Sequence, residues 1–363
     1  MRIELLVDSD EFWTRFQDDL SAARDTAYVQ TFSFEGDRVG SALGRRLEAC
    51  GARDRRLLVD SYSLLYHNDR LIQGLAWAER AFRREVFSTH RWVRRLRARG
   101  VGIRFGNPLG PSPVNLLRRS HKKLAVFDGR VAYLGGINFC EHNFAWHDMM
   151  LRVEDRMLAL HLEADFRASW DGRPTATDVR SGPLRVVSLN GRGNPRGFAP
   201  LLGALEGVLR SVDIVSAYLS PPFTDVLGRA AERGVRVRLL TPARNNKPNL
   251  ARHALSAARR HAFQVMRYPG RMNHMKAMVL DDELLVAGSS NFDFMSYHIL
   301  EEIFVLTRDC DVLDAFRRRV WNVDASCSRA VVHAPSLRTR LGHGAVVLGA
   351  VLARSLALPQ DVR

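Results

Sequence analysis

The chain has 363 residues, 46% of them hydrophobic, which is enough for one large core or two of ordinary size and excludes a disordered protein. A formal charge of +15 and an isoelectric point near 10.5 imply an anionic partner, either a phospholipid surface or a nucleic acid, because a field of that sign recruits both. Cys50, Cys140, Cys310 and Cys327 form no C-x-x-C pair and no disulfide framework, which fits a reducing cytosol. Cys140 reads as a small buried residue. The opening Met1-Arg2-Ile3-Glu4 is too acidic, and its apolar run too short, for a secretory signal. No stretch reaches the roughly 18–20 apolar residues of a spanning helix; the nearest is 345–353, closed off by Arg354.

In chain order the elements repeat. Residues 3–7 read as a strand, followed by a helix with Phe12, Phe16 and Leu20 on one face, a strand over 28–32, a further helix and a third strand over 57–60. The second half runs the same way, with strands over 184–189, 214–218 and 235–240 and a helix carrying Leu201, Leu205 and Leu209. Strands alternating with helices predict α/β layers around a largely parallel sheet. Each half closes on a helix, at Trp170 or Trp321. The composition places an N-terminal domain at 1–172, a Gly/Pro/Ser/Thr-rich linker at 173–183, a C-terminal domain at 184–330 and a tail at 331–363. The first half is longer, because residues 64–92 form an insert holding Trp77, Phe82, Phe87 and Trp92 among arginines. It reads either as an amphipathic helix packed on its own domain or as a lid or membrane-facing segment. The tail beyond Pro335, with Arg338, Arg340 and Arg354 between apolar residues, reads either as an interfacial helix or as one docked on the second domain.

The chemistry is carried by a spacing that occurs twice, His-x-Lys-x-x-x-x-Asp, as His121-Lys123-Asp128 and as His274-Lys276-Asp281. Each copy runs on into a Gly/Ser-rich turn that ends in Asn138 or Asn291. Only four of the 54 basic residues are lysines, yet two of those four fill the two motif positions. A compact ammonium acts as a point charge toward a phosphate oxygen, a task that the broad planar guanidinium performs differently. Phosphodiester transfer needs a nucleophile, a proton donor for the leaving alkoxide and positive charge over the phosphoryl oxygens. One imidazole can attack phosphorus and the other can protonate the leaving group, while Lys123, Lys276, Asn138 and Asn291 stabilise the charge that develops. Neither motif has the paired histidines or cysteine spacing of a zinc site, so no metal and no cofactor are expected. His142, His147 and His298 read as ordinary core histidines.

The paired motifs, with His121-Lys122-Lys123-Leu124-Ala125-Val126-Phe127-Asp128, Gly135-Gly136-Ile137-Asn138, Trp146-His147-Asp148 and Gly288-Ser289-Ser290-Asn291 followed by Glu302, resemble the phospholipase D superfamily, most closely its bacterial cardiolipin synthase branch. The resemblance covers most of the chain. It departs at Met295-Ser296, where family members often carry Arg-Ser, and at Leu300-Glu301-Glu302. It implies two similar fused α/β/α domains with pseudo-twofold symmetry and an active site at their interface. It further implies His121 as nucleophile and His274 as acid and base. Asp148, 27 residues after His121, and Glu302, 28 after His274, match the acidic residues that orient the histidines in that family. For Asp128 and Asp281 a catalytic role and a structural role in the turn both stay open. The implied activity is transfer of a phosphatidyl group from phosphatidylglycerol to an alcohol lipid through a phosphohistidine. Lipid hydrolysis is the alternative, followed by nuclease activity. The expected partners are an anionic phospholipid and a membrane surface, with nucleic acid disfavoured. A monomer containing an internal pseudo-dimer, cytoplasmic and peripherally attached to the membrane, is expected.

Overall fold

The computed structural model describes residues 1–110, 113–331 and 337–357. The chain divides into two compact units, Met1–Thr175 and Ala176–Arg363. Of the expected tail, residues 332–336 and 358–363 lie outside the described residues.

The first unit runs β1 (Arg2–Val7), α1 (Asp8–Ala22), β2 (Thr26–Thr31), α2 (Arg38–Ala49), β3 (Asp54–Asp60), a small hairpin of β4 (Tyr66–His67) and β5 (Arg70–Leu71), then α3 (Arg80–Ala98), β6 (Gly102–Gly106) and α4 (Pro113–Leu117). The motif strand β7 (Leu124–Phe127) follows, with β8 (Val131–Gly135), α5 (Glu141–Phe144), β9 (Met149–Glu154) and α6 (Arg156–Trp170). Its sheet has the order β1-β9-β8-β7-β2-β3-β6. Side chains alternate across β2 and sort the helices onto two faces. Ala27 and Val29 join Phe12, Phe16, Leu43, Leu47 and Leu96 in one core, while Tyr28 stacks on Phe166 of α6 at 4.7 Å.

The second unit runs β10 (Thr177–Ser181), β11 (Leu184–Asn190), α7 (Asn194–Gly197), α8 (Ala199–Glu206), β12 (Ser211–Ser216), α9 (Phe223–Glu232), β13 (Arg236–Pro242), α10 (Pro248–Arg260) and β14 (Gln264–Tyr268). It continues with β15 (Lys276–Leu280), β16 (Leu284–Gly288), α11 (Phe294–His298), β17 (Glu301–Thr307), α12 (Cys310–Phe316), α13 (Asn322–Cys327), β18 (Arg329–Ala330) and α14 (Leu337–Ala357). The sheet order β11-β17-β16-β15-β12-β13-β14 repeats that of the first unit strand for strand, with β10 and β18 added at the edges. The internal duplication is therefore a duplication of topology.

Three expectations need correction. The sheets are mixed, not largely parallel. Among the described strands only β2–β3, β3–β6 and their counterparts β12–β13, β13–β14 pair in parallel, because each His strand turns straight back as a hairpin and is followed by another antiparallel strand. Residues 177–181, inside the expected linker, form β10, which pairs antiparallel with β11 from Thr177 opposite Ser188 to Ser181 opposite Leu184; its Thr and Val contribute strand propensity that the flanking Gly and Pro obscured. Leu209 lies beyond α8 and is 82% exposed, so it is no core residue.

The insert divides. Its C-terminal part is α3, which buries Phe82, Val86, Val93 and Leu96 on its own unit, while Leu75, Trp77 and Phe87 stay exposed. The tail helix α14 packs along α10 and α11 and buries Val346 and Ala353, but Val347, Leu348, Val351 and Leu352 face outward. Among the described residues no helix is long and apolar enough to cross a membrane.

Candidate active site

Each unit builds the same local device from the same positions. In the first, His121 precedes β7, and its segment is anchored from both sides. The buried Asp60 carboxylate at the end of β3 accepts from the Ser120 backbone N–H at 2.6 Å and pairs with Arg119 at 3.2 Å. Burial pushes that carboxyl up to about 6 against the pull of Arg119. Lys122, pointing to the other face of the chain, forms a fully buried pair with Asp165 of α6 at 2.8 Å. Between these anchors Lys123 donates to the His121 carbonyl at 2.8 Å and lies 5.5 Å from the centre of the Phe32 ring. Phe32 in turn meets the His121 imidazole edge-on at 5.2 Å. Asn138 is buried on the turn after β8, donating to Asn143 Oδ1 at 2.7 Å and accepting from Thr31 Oγ1 at 3.3 Å.

In the second unit His274 and Lys276 are both buried. The Lys276 ammonium stands 2.8 Å from His274 Nδ1 and 3.0 Å from Nε2, and donates to the His274 carbonyl. Tyr218 takes the place of Phe32, meeting the imidazole at 5.9 Å, and Lys247 lies over the Tyr218 ring at 4.7 Å. Asn291 is buried, and its side-chain oxygen has no hydrogen-bond partner among the described residues.

The two acidic residues expected behind the histidines sit at equivalent places, each reached by the turn that ends in Asn. Asp148 immediately precedes β9 and is buried against Gly136, where a Cβ would lie 2.1 Å from its Oδ1. Any side chain at 136 would displace it. Glu302 in β17 is longer by one methylene and faces Ser289 in place of the glycine. Its two oxygens accept from Ser289 Oγ at 2.5 Å and Ser296 Oγ at 2.7 Å. The serine of Met295-Ser296 thus holds the buried carboxylate.

The motif aspartates, for which a catalytic and a structural role both stood open, bind backbone. Asp128 and Asp281 have left-handed backbones, with φ of 52° in both. Asp128 accepts from the backbone N–H groups of Arg24, Asp25 and Thr26 at 2.8–3.1 Å. Asp281 does the same for Leu209, Arg210 and Ser211 at 2.7–2.9 Å. Both fasten the far end of the His strand to the start of its neighbour, a structural duty. Burial raises both carboxyls, yet the backbone donors outweigh it and hold them below the ordinary value. A depressed folded value contributes stability that is complete above the unfolded pKa near 3.9 and fades as pH falls through the folded one. Asp281→Asn preserves shape and tolerates the left-handed backbone, so it should cost about 1 kcal/mol at neutral pH after solvent screening and flatten the acid limb of Tm against pH. An unchanged acid limb would remove this assignment.

Asp60, Phe32, Tyr218, Lys122 and Lys247 escaped the sequence reading. The scarcity of lysine is a signal that reaches Lys122 and Lys247, since those two and the motif pair are all the lysines the chain has. His147 is an ordinary satisfied histidine, with Nδ1 2.7 Å from Asp8 Oδ1. Among the described residues, groups of His, Cys and carboxylate able to hold a metal comprise Glu35, Cys140 and His142, and Glu35, His67 and Glu85; neither includes a motif residue.

A duplicated α/β/α unit carrying His, Lys and Asn at matched positions defines the phospholipase D class of enzyme. Residues 16–170 and 202–323 match the family model described as cardiolipin synthase, PLD-like domain, and the chain belongs to that family of enzymes. It is 27% identical over 337 residues to cardiolipin synthase B of Escherichia coli K12 and 26% identical over 337 residues to cardiolipin synthase B of Shigella flexneri, in each case covering 85% of this chain and 76% of the relative. The crystal structure of phosphatidylserine synthase from Haemophilus influenzae Rd KW20 shares the fold, with a TM-score of 0.71 at 14% identity, over 98% of this chain and 95% of that one.

Proposed function

We propose that this enzyme is a phosphatidyltransferase of the cardiolipin synthase type, moving a phosphatidyl group from phosphatidylglycerol to the hydroxyl of a second lipid. The observation that carries it is the twice-built device of a histidine whose carbonyl accepts from its own lysine and whose imidazole meets an aromatic ring edge-on, in a chain of the cardiolipin synthase family. His121 attacks phosphorus, the bond from phosphorus to the glycerol oxygen breaks, and protonated His274 gives its proton to that oxygen. Neutral His274 then takes the proton of the acceptor alcohol, whose oxygen displaces His121. Lys123, Lys276 and the two asparagines stabilise the phosphoryl oxygens, while Asp148 and Glu302 orient the imidazoles.

Water at about 55 M competes for the phosphohistidine, and an alcohol lipid wins only if it is positioned, an advantage that can reach roughly 10⁵ M in effective concentration. Purified enzyme on phosphatidylglycerol vesicles is therefore expected to release cardiolipin and glycerol in near-equal amounts, with phosphatidic acid minor. Dominant phosphatidic acid would replace the transferase reading by hydrolysis, and cleavage of single-stranded DNA without lipid turnover would remove both.

The same reading places the enzyme on the surface of an anionic membrane. Trp77 and Phe87 meet edge-on at 6.0 Å on the exterior, Leu75 is 98% exposed, and Arg84 and Arg91 stand one turn either side of Phe87 on α3. Apolar side chains flanked by arginine suit the boundary of acyl chain and headgroup. Cosedimentation should be stronger with anionic than neutral vesicles and weaken with salt, and Trp77→Ser with Phe87→Ser should remove most of the salt-resistant part. Equal binding to both vesicle types at low salt would contradict this.

A further inference from the structure

The first unit contains a second constellation that the transfer chemistry does not use. Four separate segments build it. Glu35 lies in the loop after β2, and the β4–β5 hairpin folds over it. That hairpin turns on Asn68 and Asp69, whose φ of 49° and 56° are those of a tight two-residue turn, and Asn68 N–H donates to Glu35 Oε1 at 3.0 Å. The turn delivers His67, Glu85 comes from α3, and Cys140 and His142 follow Asn138 on the catalytic turn.

Glu35, His67 and Cys140 are at most 2% exposed. Three atoms facing this cluster, Glu35 Oε2, His67 Nδ1 and His142 Nδ1, are buried with no hydrogen-bond partner among the described residues. Such orphans are uncommon in protein interiors, and three together suggest a missing partner. His142 Nδ1 stands 3.7 Å from Glu35 Oε2, and His67 Nδ1 stands 3.7 Å from Glu85 Oε1, both beyond hydrogen-bond length. Each approaches the roughly 3.3–3.8 Å edge between an N and an O ligand of a tetrahedral zinc ion. Within each triad, Glu35–Cys140–His142 and Glu35–His67–Glu85, the ligand-capable atoms lie within 4.8 Å of one another.

We propose that Glu35, Cys140 and His142 bind a zinc-class divalent ion, with His67 and Glu85 beside it on the far side of Glu35. A thiol, an imidazole and a carboxylate select zinc over the hard cations magnesium and calcium. On binding, the ion would take the Cys140 sulfur as a thiolate, with release of its proton. The ion acts as a staple. Cys140 and His142 follow Asn138 on one turn, so a metal bond to them fixes that turn, while Glu35 ties it to the hairpin through the Asn68 N–H. Sequence spacing concealed the site because its ligands come from separate segments.

The test uses the full chain with exposed Cys310 and Cys327 replaced by serine. Purified from zinc-supplemented medium and dialysed, it should retain about one zinc per chain by elemental analysis, and stripping the zinc should lower Tm. Glu35→Gln and His142→Gln should each reduce the zinc content at least tenfold. Exchange with cobalt(II) should produce a thiolate-to-metal charge-transfer band that Cys140→Ser abolishes. Absence of zinc from the folded parent protein would overturn the site, as would zinc content indifferent to Glu35→Gln, which marks an adventitious ion only. Zinc lost in His67→Gln and Glu85→Gln but kept in Cys140→Ser would overturn the assigned ligands. None of these readouts depends on lipid turnover, so the site and the proposed activity fail separately.

Discussion

His121→Ala is expected to lower turnover by at least about 10³-fold while leaving the fold intact, because the imidazole is assigned the bond to phosphorus and alanine offers no substitute. The fold should survive because the segment is held by the Ser120 N–H on Asp60 and by the buried Lys122–Asp165 pair, neither of which uses the ring at 121. His274→Ala should be comparably slow in steady state for a different reason, the loss of the proton donor and later base. Acid quenching with labelled phosphatidylglycerol separates the two. Label should remain on wild type and on His274→Ala, and be absent from His121→Ala. The double variant should be little worse than either single one, since residues acting as a unit are not additive. Label trapped on His121→Ala would transfer the nucleophile to the second unit, and full activity in that variant would falsify the covalent mechanism.

Lys276→Arg should cost about 10²-fold or more in kcat/KM although it keeps the charge. Lys276 is 2% exposed, with its ammonium against both ring nitrogens and the carbonyl of His274, a volume shaped to a compact head. A guanidinium is wider and planar. It must either push the imidazole aside or withdraw from the phosphoryl oxygen. The loss should fall chiefly on kcat, because the charge is needed most where the phosphoryl oxygens gain negative character. Circular dichroism and thermal melting close to wild type establish that the loss is local. Unchanged kcat/KM in this variant would show that the lysine is a matter of packing and that the phosphoryl charge is met elsewhere.

Much of this molecule was legible before any coordinates. The repeated spacing around His121 and His274 located both devices, and the order of apolar runs located the repeated elements, because a buried strand or helix face must be written in consecutive residues. Phe12, Phe16 and Leu20 are buried as their periodicity required. Leu209 failed the same test: it continues the spacing of Leu201 and Leu205, but the backbone turns there to present its N–H to Asp281, a partner from another strand. Strand direction was misread for a related reason, since the alternation of strands with helices says where elements occur and not which of them will be neighbours.

The sequence by itself determined the chemistry available: two imidazoles, two scarce lysines and two asparagines at matched spacings, on a strongly basic chain. Tertiary structure decided what each remaining polar group does. It assigned Asp128 and Asp281 to backbone N–H groups, set Asp148 against Gly136 and Glu302 against two serines, and brought Glu35, His67, Glu85, Cys140 and His142 together from four segments. The division has a physical cause. Covalent spacing constrains only groups a few residues apart, whereas the partner of a buried polar atom is chosen by whichever distant segment packs against it, and the cost of leaving such an atom unpaired makes that choice decisive.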